Sequence, residues 1–376
     1  MATFKDLGVH NNYIKALKEL QIKTPTEIQE KTIPVLLKSK TDFIGLAQTG
    51  TGKTAAYGLP ALNTIDTKTA VVQTLILSPT RELVQQIKKQ LFKFTKFNSD
   101  KIFVEAVYGG EKIEKQIQRL QRPTHIIVAT PGRLIDLIEK GTINLRSIKT
   151  VILDEADEML SMGFKKELDS ILNYTSGSRS TWLFSATMPE AIKQIVTKYM
   201  EPNAVRVSVN KESLVNANIN HQYLITSINE KTNVVAHLLD GFKEGRGIIF
   251  CRTKLGVQKL VTELKEEGFS VDALEGDMQQ RDRDKVMRMF KKGTLQFLIS
   301  TDVSARGIDV NNLAFVMHHQ LPENQEYYTH RSGRTARAGK TGISLALILP
   351  SELQRVHELQ KALGIKFEEQ FLSKNK

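Results

Sequence analysis

The sequence predicts an α/β protein with two mostly parallel sheets, each flanked by helices, joined by a flexible linker. Three observations predict this fold class. A chain of 376 residues is too long for one ordinary core and divides most naturally into two domains. Strand-sized apolar runs alternate with segments of helical spacing, the pattern of a parallel sheet covered on both faces. Around 205–220 the alternation breaks into a polar, aperiodic, Asn-rich stretch and then restarts. Domains are therefore expected at 1–206 and 220–376, with the linker at 207–219.

In chain order, Asn12–Leu20 and Glu27–Leu37 read as helices, with Thr24 as a candidate N-cap and Pro25 at N1. Phe43–Leu46, Thr74–Leu77, Ile102–Val107, His125–Ala129, Thr150–Leu153 and Trp182–Phe184 read as strands. Helices are expected near Arg81–Phe94, Glu111–Leu120, Leu134–Glu139 and Glu190–Tyr199. After the break, strands are expected at Tyr223–Thr226, Gly247–Phe250, Val271–Leu274, Leu295–Ser300, Ala314–Met317 and Ile343–Leu349. Helices fall near Asn233–Phe242, Leu255–Glu266, Arg283–Phe290 and Glu352–Leu363.

Forty per cent hydrophobic and 25% charged residues exclude a disordered chain. No apolar run reaches membrane-spanning length and no secretory signal opens the sequence. Cys251, the single cysteine, has no intramolecular partner, which fits a reducing cytoplasm. The formal net charge of +12 suits a polyanionic partner or a merely soluble basic protein. Eight histidines without HExxH or Cys/His spacing give no reason to expect zinc.

The stretch Ala47-Gln48-Thr49-Gly50-Thr51-Gly52-Lys53-Thr54 lies between an apolar strand and a helix start, as a phosphate-binding loop does. Glycines turn backbone N–H groups toward phosphates, Lys53 adds charge, and the Thr54 hydroxyl can ligate Mg²⁺. Asp154-Glu155-Ala156-Asp157 follows a second strand on the same expected edge. Asp154 is placed to hold the metal of a nucleotide, and Glu155 to deprotonate water. Gln29 matches adenine N6 and N7, yet read on its own it is better explained as a solvated helix residue. Thr80-Arg81 and Thr130-Pro131-Gly132-Arg133 are sufficient as helix caps and also suit phosphates. Gly109-Gly110 is a plain turn or a close approach to ligand. In His330 to Arg337, Arg331 and Arg334 can share a helix face; nucleic-acid binding and neutralisation of a transferring phosphoryl group are both open.

Together these stretches resemble the DEAD-box family of ATP-dependent RNA helicases, in order and over nearly the whole chain. Phe4 with Ile22 to Gln29 is similar to its adenine-reading motif, and the 47–54 loop is similar to its phosphate loop. Pro79 to Leu83, Gly109-Gly110, Thr130 to Arg133, Asp154 to Asp157 and Ser185-Ala186-Thr187 continue the set. Ile249 to Thr253, Gln280/Arg283, Thr301 to Asp309 and His330 to Arg337 complete it. Ile22, Glu27, Ser332 and Ala336 depart from the residues most frequent at those positions.

The resemblance implies two RecA-like domains, a monomeric core, and ATP with Mg²⁺ between the domains. Ile22 and Gln29 would meet adenine. Gln48, Thr49, Gly50, Thr51, Gly52, Lys53 and Thr54 would meet the phosphates, and Gly307 and Asp309 the ribose side. Thr54 and Asp154 would hold Mg²⁺, Glu155 would activate water, and Arg334 and Arg337 would act as arginine fingers. His330, Asp157, Ser185 and Thr187 would couple hydrolysis to domain closure. RNA would cross Pro79, Thr80, Arg81, Gly109, Gly110, Thr130, Pro131, Gly132 and Arg133 on one domain. On the other it would meet Arg252, Arg283 and Thr301. The implied activity is local, non-processive separation of short RNA duplexes and remodelling of RNA–protein complexes.

Overall fold

The computed structural model describes residues 2–48, 50–175, 177–209, 218–242, 245–305, 313–323, 325–336 and 340–372. The chain divides into two compact units, Met1–Asn210 and Lys211–Lys376. Among the described residues of the first unit, seven strands form one sheet. They are β1 (Phe43–Leu46), β2 (Thr74–Leu77), β3 (Val104–Val107), β4 (Ile126–Ala129), β5 (Thr150–Leu153), β6 (Ser180–Ser185) and β7 (Val205–Ser208). Their spatial order is β3-β4-β2-β5-β6-β1-β7, and each pairing is parallel.

Successive residues of one strand face opposite cores. Ile76 packs in the cluster of Phe43, Tyr57, Val84 and Phe184, whereas Leu75 and Leu77 join Ile127, Leu134 and Val151. Both faces are apolar, so the strand reads as a continuous hydrophobic run rather than an alternation.

The second unit has the same architecture: β8 (Ile219–Ile225), β9 (Gly247–Phe250), β10 (Val271–Leu274), β11 (Phe297–Ser300), β12 (Phe315–His318), β13 (Gly342–Ile348) and β14 (Phe367–Gln370). The order is β10-β11-β9-β12-β13-β8-β14, again with parallel pairings. Gly247 lies under the Phe315 ring, where a Cβ would approach to 2.2 Å; β9 can start there only with glycine. Among the described residues no helix is long and apolar enough to cross a membrane.

The structure departs from the sequence reading at several elements. Val207 and Ser208, expected in the linker, belong to β7, and Ile219 belongs to β8; residues 210–217 lie outside the described residues. Strand β7 is an edge strand whose valines are half-buried and whose Arg206 and Ser208 are exposed, which disguises it as a polar stretch. Strand β14 buries only Phe367, so it leaves no alternation to detect. Thr26, not Thr24, is the N-cap of Glu27–Lys38, because the Gln29 side chain accepts from Thr26 N at 3.0 Å and closes the first turn there.

A buried polar network runs through the second unit. The His221 Nδ1 meets the Tyr328 hydroxyl at 2.6 Å, and Tyr328 stacks on His318 with ring centroids 4.7 Å apart. The Ser344 Oγ is within hydrogen-bond reach of His318 Nε2 (3.0 Å) and of Ser332 Oγ (2.8 Å). Ser332, one of the departures from the family pattern, is thus a fully buried hydrogen-bonding group. Burial lowers the His221 pKa to about 4 from the usual 6.5. The neutral ring is favoured in the fold, so stability present above pH 6.5 is lost as pH falls toward 4. His221→Phe should flatten the acid side of the urea-midpoint profile between those values, by up to about 1.4 kcal/mol per pH unit.

Candidate functional site

In a parallel sheet all strands end at the same edge, and the loops leaving that edge are where ligands meet an open α/β sheet. In the first unit β5, β6 and β1 are neighbours, and they deliver Asp154, Ser185 and the glycine-rich loop before Lys53 side by side. The loop turns at Gly50 and Gly52, whose φ angles of +83° and +93° are left-handed. The Lys53 side chain, almost fully buried, donates to Ala47 O at 2.9 Å across the loop.

Gln29 corrects the solvated-helix reading, because it is 3% exposed. Its Nε2 donates to Gly52 O at 3.0 Å, and the Thr26 hydroxyl donates to Thr51 O at 2.8 Å. A Cβ on Gly52 would lie 2.4 Å from Gln29 Nε2, so the loop and the Gln29 helix are fitted to each other. Ile22 is half-buried and packs against the same core.

Asp154 is buried, with its Oδ2 accepting from the Tyr57 hydroxyl at 2.9 Å. Its Oδ1 is buried and has no hydrogen-bond partner. Burial raises the Asp154 pKa, and the Lys53 charge and the Tyr57 hydrogen bond oppose that rise. A buried carboxylate oxygen without a donor suits a hard divalent cation, and the Thr54 hydroxyl on the adjoining helix is a second oxygen ligand of the right kind. Glu155 is half-buried at φ +51°, a left-handed conformation that costs a non-glycine residue about 1 kcal/mol. The next carboxylate is held firmly: Asp157 Oδ2 accepts from both Thr187 N and Thr187 Oγ1 at 2.8 Å, and Asp157 N donates to Ser185 Oγ at 3.2 Å.

Strands β3, β4 and β2 occupy the other side of the same edge. Pro79 and Thr80 lead into the helix Arg81–Phe94, where Thr80 caps Leu83 N at 3.3 Å. Arg81 pairs with Glu82 at 3.0 Å. Thr130 stands at the N-cap of Pro131–Glu139 without a side-chain capping bond, so capping does not account for its hydroxyl. Gly132 has open space where a Cβ would stand, as has the exposed Gly109, and Gly110 turns at φ +85°. The Arg133 guanidinium donates to Glu111 O at 2.9 Å and so ties these loops together.

In the second unit, β10, β11 and β9 are neighbours and bring Arg283, Thr301 and Arg252 to one edge. Arg283 donates to Ser304 O at 2.8 Å, Thr301 Oγ1 to Ser304 Oγ at 3.1 Å, and Arg252 to Leu321 O at 3.2 Å. The helix Gln325–Ser332 ends before Arg334, which corrects the expectation that Arg331 and Arg334 share a helix face. Arg331 is 2% exposed, grips Asp302 with Nε and with Nη2 (2.7 Å), and lies over the Phe250 ring. It is a structural cation. His330 and Arg334 are half-buried. Ala336 takes φ +55°, a conformation glycine adopts freely, which gives its departure a backbone cost. Thr49, Gly307, Asp309 and Arg337 lie outside the described residues.

Three residues were missed by sequence reasoning. Tyr57 falls one helical turn after Lys53, a spacing that could have flagged it. Gln116, fully buried, bonds both Tyr108 N (3.1 Å) and Tyr108 O (2.8 Å) and pins the chain before Gly109. Its signal was a polar residue within the apolar series Ile113, Ile117, Leu120. Asp302 lies in the Thr301 to Asp309 stretch, but it had no role assigned until Arg331 was found beside it.

The DEAD/DEAH box helicase family matches residues 26–195, and the helicase conserved C-terminal domain matches residues 230–339. The chain is 42% identical over 369 residues to the DEAD-box ATP-dependent RNA helicase CshA of Geobacillus kaustophilus, covering 98% of this chain and 78% of that one. Among solved structures, S. cerevisiae Dbp5 bound to RNA and ADP BeF3 is similar at a TM-score of 0.90 and 30% identity, covering 98% and 96% of the two chains. A DEAD box protein from Methanococcus jannaschii is similar at 0.56 and 38%, covering 98% and 99%.

Arg331→Ala should strand the Asp302 carboxylate and lower the stability of the second unit by about 3 kcal/mol, read as a fall in its urea midpoint.

Proposed function

Because the chain belongs to the DEAD/DEAH box helicase family and is an ATP-dependent RNA helicase of the DEAD-box type, we propose that it couples RNA-stimulated ATP hydrolysis to local, non-processive separation of short RNA duplexes and to remodelling of RNA–protein complexes. One observation carries this reading. Adjoining strands of one sheet end in a phosphate loop with a buried half-satisfied carboxylate, and their neighbours end in helix N-termini and open glycines. Nucleotide and RNA would then share one edge of the first unit.

In this proposal Gln48, Gly50, Thr51, Gly52, Lys53 and Thr54 bind the phosphates, and Gln29 and Ile22 bound the adenine site. Gln29 keeps one amide hydrogen and one carbonyl lone pair beyond its present bonds, enough to meet adenine N6 and N7. Asp154 Oδ1 and the Thr54 hydroxyl would hold Mg²⁺. When bound, the ion supplies positive charge to the phosphate oxygens. Glu155 orients and deprotonates the attacking water. We assign Arg334 and Arg337 to neutralising charge that develops on the transferring phosphoryl group, and His330, Asp157, Ser185 and Thr187 to coupling hydrolysis to RNA. Pro79 to Arg81, Gly109-Gly110 and Thr130 to Arg133, with Arg252, Arg283 and Thr301, grip the RNA backbone. Contacts of this kind position a strand without reading its bases.

ATPase rates measured side by side with single-stranded RNA, duplex RNA and DNA test the proposal. Stimulation by RNA with turnover-dependent release of a short duplex strand is expected. ATP-dependent holding of RNA without strand release would make the protein a clamp instead. Glu155→Gln should lower kcat by at least roughly 10²-fold while ATP and RNA binding persist. Arg334→Ala should slow hydrolysis by roughly 10³-fold; an unchanged rate would remove it from the phosphoryl site.

A further inference from the structure

Tyr57 has no part in the roles assigned above, yet it is fully buried beside them. Its ring packs on Phe184 with centroids 5.1 Å apart, which fixes where the hydroxyl points. The helix Lys53–Asn63 places Tyr57 one turn beyond Lys53, so a single helix carries the phosphate-loop lysine, Thr54 and this phenol. The hydroxyl reaches across to β5 and donates to Asp154 Oδ2 at 2.9 Å.

We propose that Tyr57 is a positioning residue that locks the Asp154 carboxylate so that Oδ1 alone is presented to a divalent cation. The inference rests on the cation reading of Asp154 given above. Two observations carry it. Oδ1 is buried and without a hydrogen-bond partner, while Oδ2 is occupied, so the two oxygens are already differentiated. The nearby Lys53 ammonium is directed to Ala47 O, and Tyr57 is the side chain whose hydrogen bond to the carboxylate sets its rotation. A partner one step removed from the ion fixes ligand orientation in this way, and its loss weakens metal affinity.

The consequence is a register between two distant stretches. The helix that offers Lys53 and Thr54 also aims the carboxylate that follows β5.

The test uses the full chain and a fluorescent ADP analogue, titrated by anisotropy with and without MgCl₂, on wild type, Tyr57→Phe and Asp154→Asn. Tyr57→Phe keeps the ring and removes only the hydroxyl. It should raise the Mg²⁺ concentration for half-maximal tightening of nucleotide binding roughly 10- to 100-fold, with metal-free affinity unchanged. If Asp154→Asn abolishes the Mg²⁺ effect while Tyr57→Phe leaves it intact, the positioning role is overturned and the cation reading stands. Equal weakening of metal-free and metal-dependent binding in Tyr57→Phe overturns it too, since that marks a merely structural role. An Mg²⁺ effect that survives Asp154→Asn overturns both the inference and the reading beneath it.

Discussion

Parallel pairing of all described strands is the constraint on which the rest of each unit depends. It sends every strand's carboxyl end to one edge, so residues far apart in the chain become neighbours there. Gly52 and Ser185 are more than a hundred residues apart, yet Gly52 follows β1 and Ser185 ends the adjacent β6. The same arrangement buries both faces of the sheet, which leaves the loops at the edge as the natural place for exposed polar chemistry. Along that edge of the first unit, phosphate-loop and carboxylate residues gather at β5, β6 and β1. The open glycines and helix N-termini gather at β3, β4 and β2.

Burial then decides what each charged group can do. Asp154 is taken out of water and only one of its oxygens is given a donor, so its chemistry is left incomplete. Arg331 is equally buried but fully matched, by Asp302, Gln320 O and the Phe250 ring. A satisfied buried ion pair supports the fold, whereas an unsatisfied one invites a ligand. Hence Arg331 is taken up by the fold, although in the sequence it looks like its neighbours Arg334 and Arg337.

The fold class was legible because hydrophobic runs of strand length survive any tertiary detail. β7 and β14 were not, since an edge strand with one half-exposed face looks like polar chain. That the Ala47 to Thr54 stretch, the Asp154 to Asp157 run and the Thr80 and Thr130 stretches would each follow a strand was legible from spacing alone. Gln29 was misread on its own terms because its burial depends on Gly52, which lacks a side chain to obstruct it. Tyr57 and Gln116 were missed for the same reason: their partners are Asp154 and the Tyr108 backbone, which no local pattern connects to them.

From sequence alone came the α/β class, the order of motifs and the types of residue offered to phosphate, metal and nucleic acid. These are matters of periodicity and local spacing, and neighbouring residues encode them. The tertiary structure decided which oxygen of Asp154 is left unpaired, that Asp157 is bound to Thr187, and that Arg331 is a structural cation. It also made Ser332 part of a buried network rather than an anomaly. Each of those outcomes depends on which side chain arrives from a distant strand or helix, and packing, not spacing, determines that arrival.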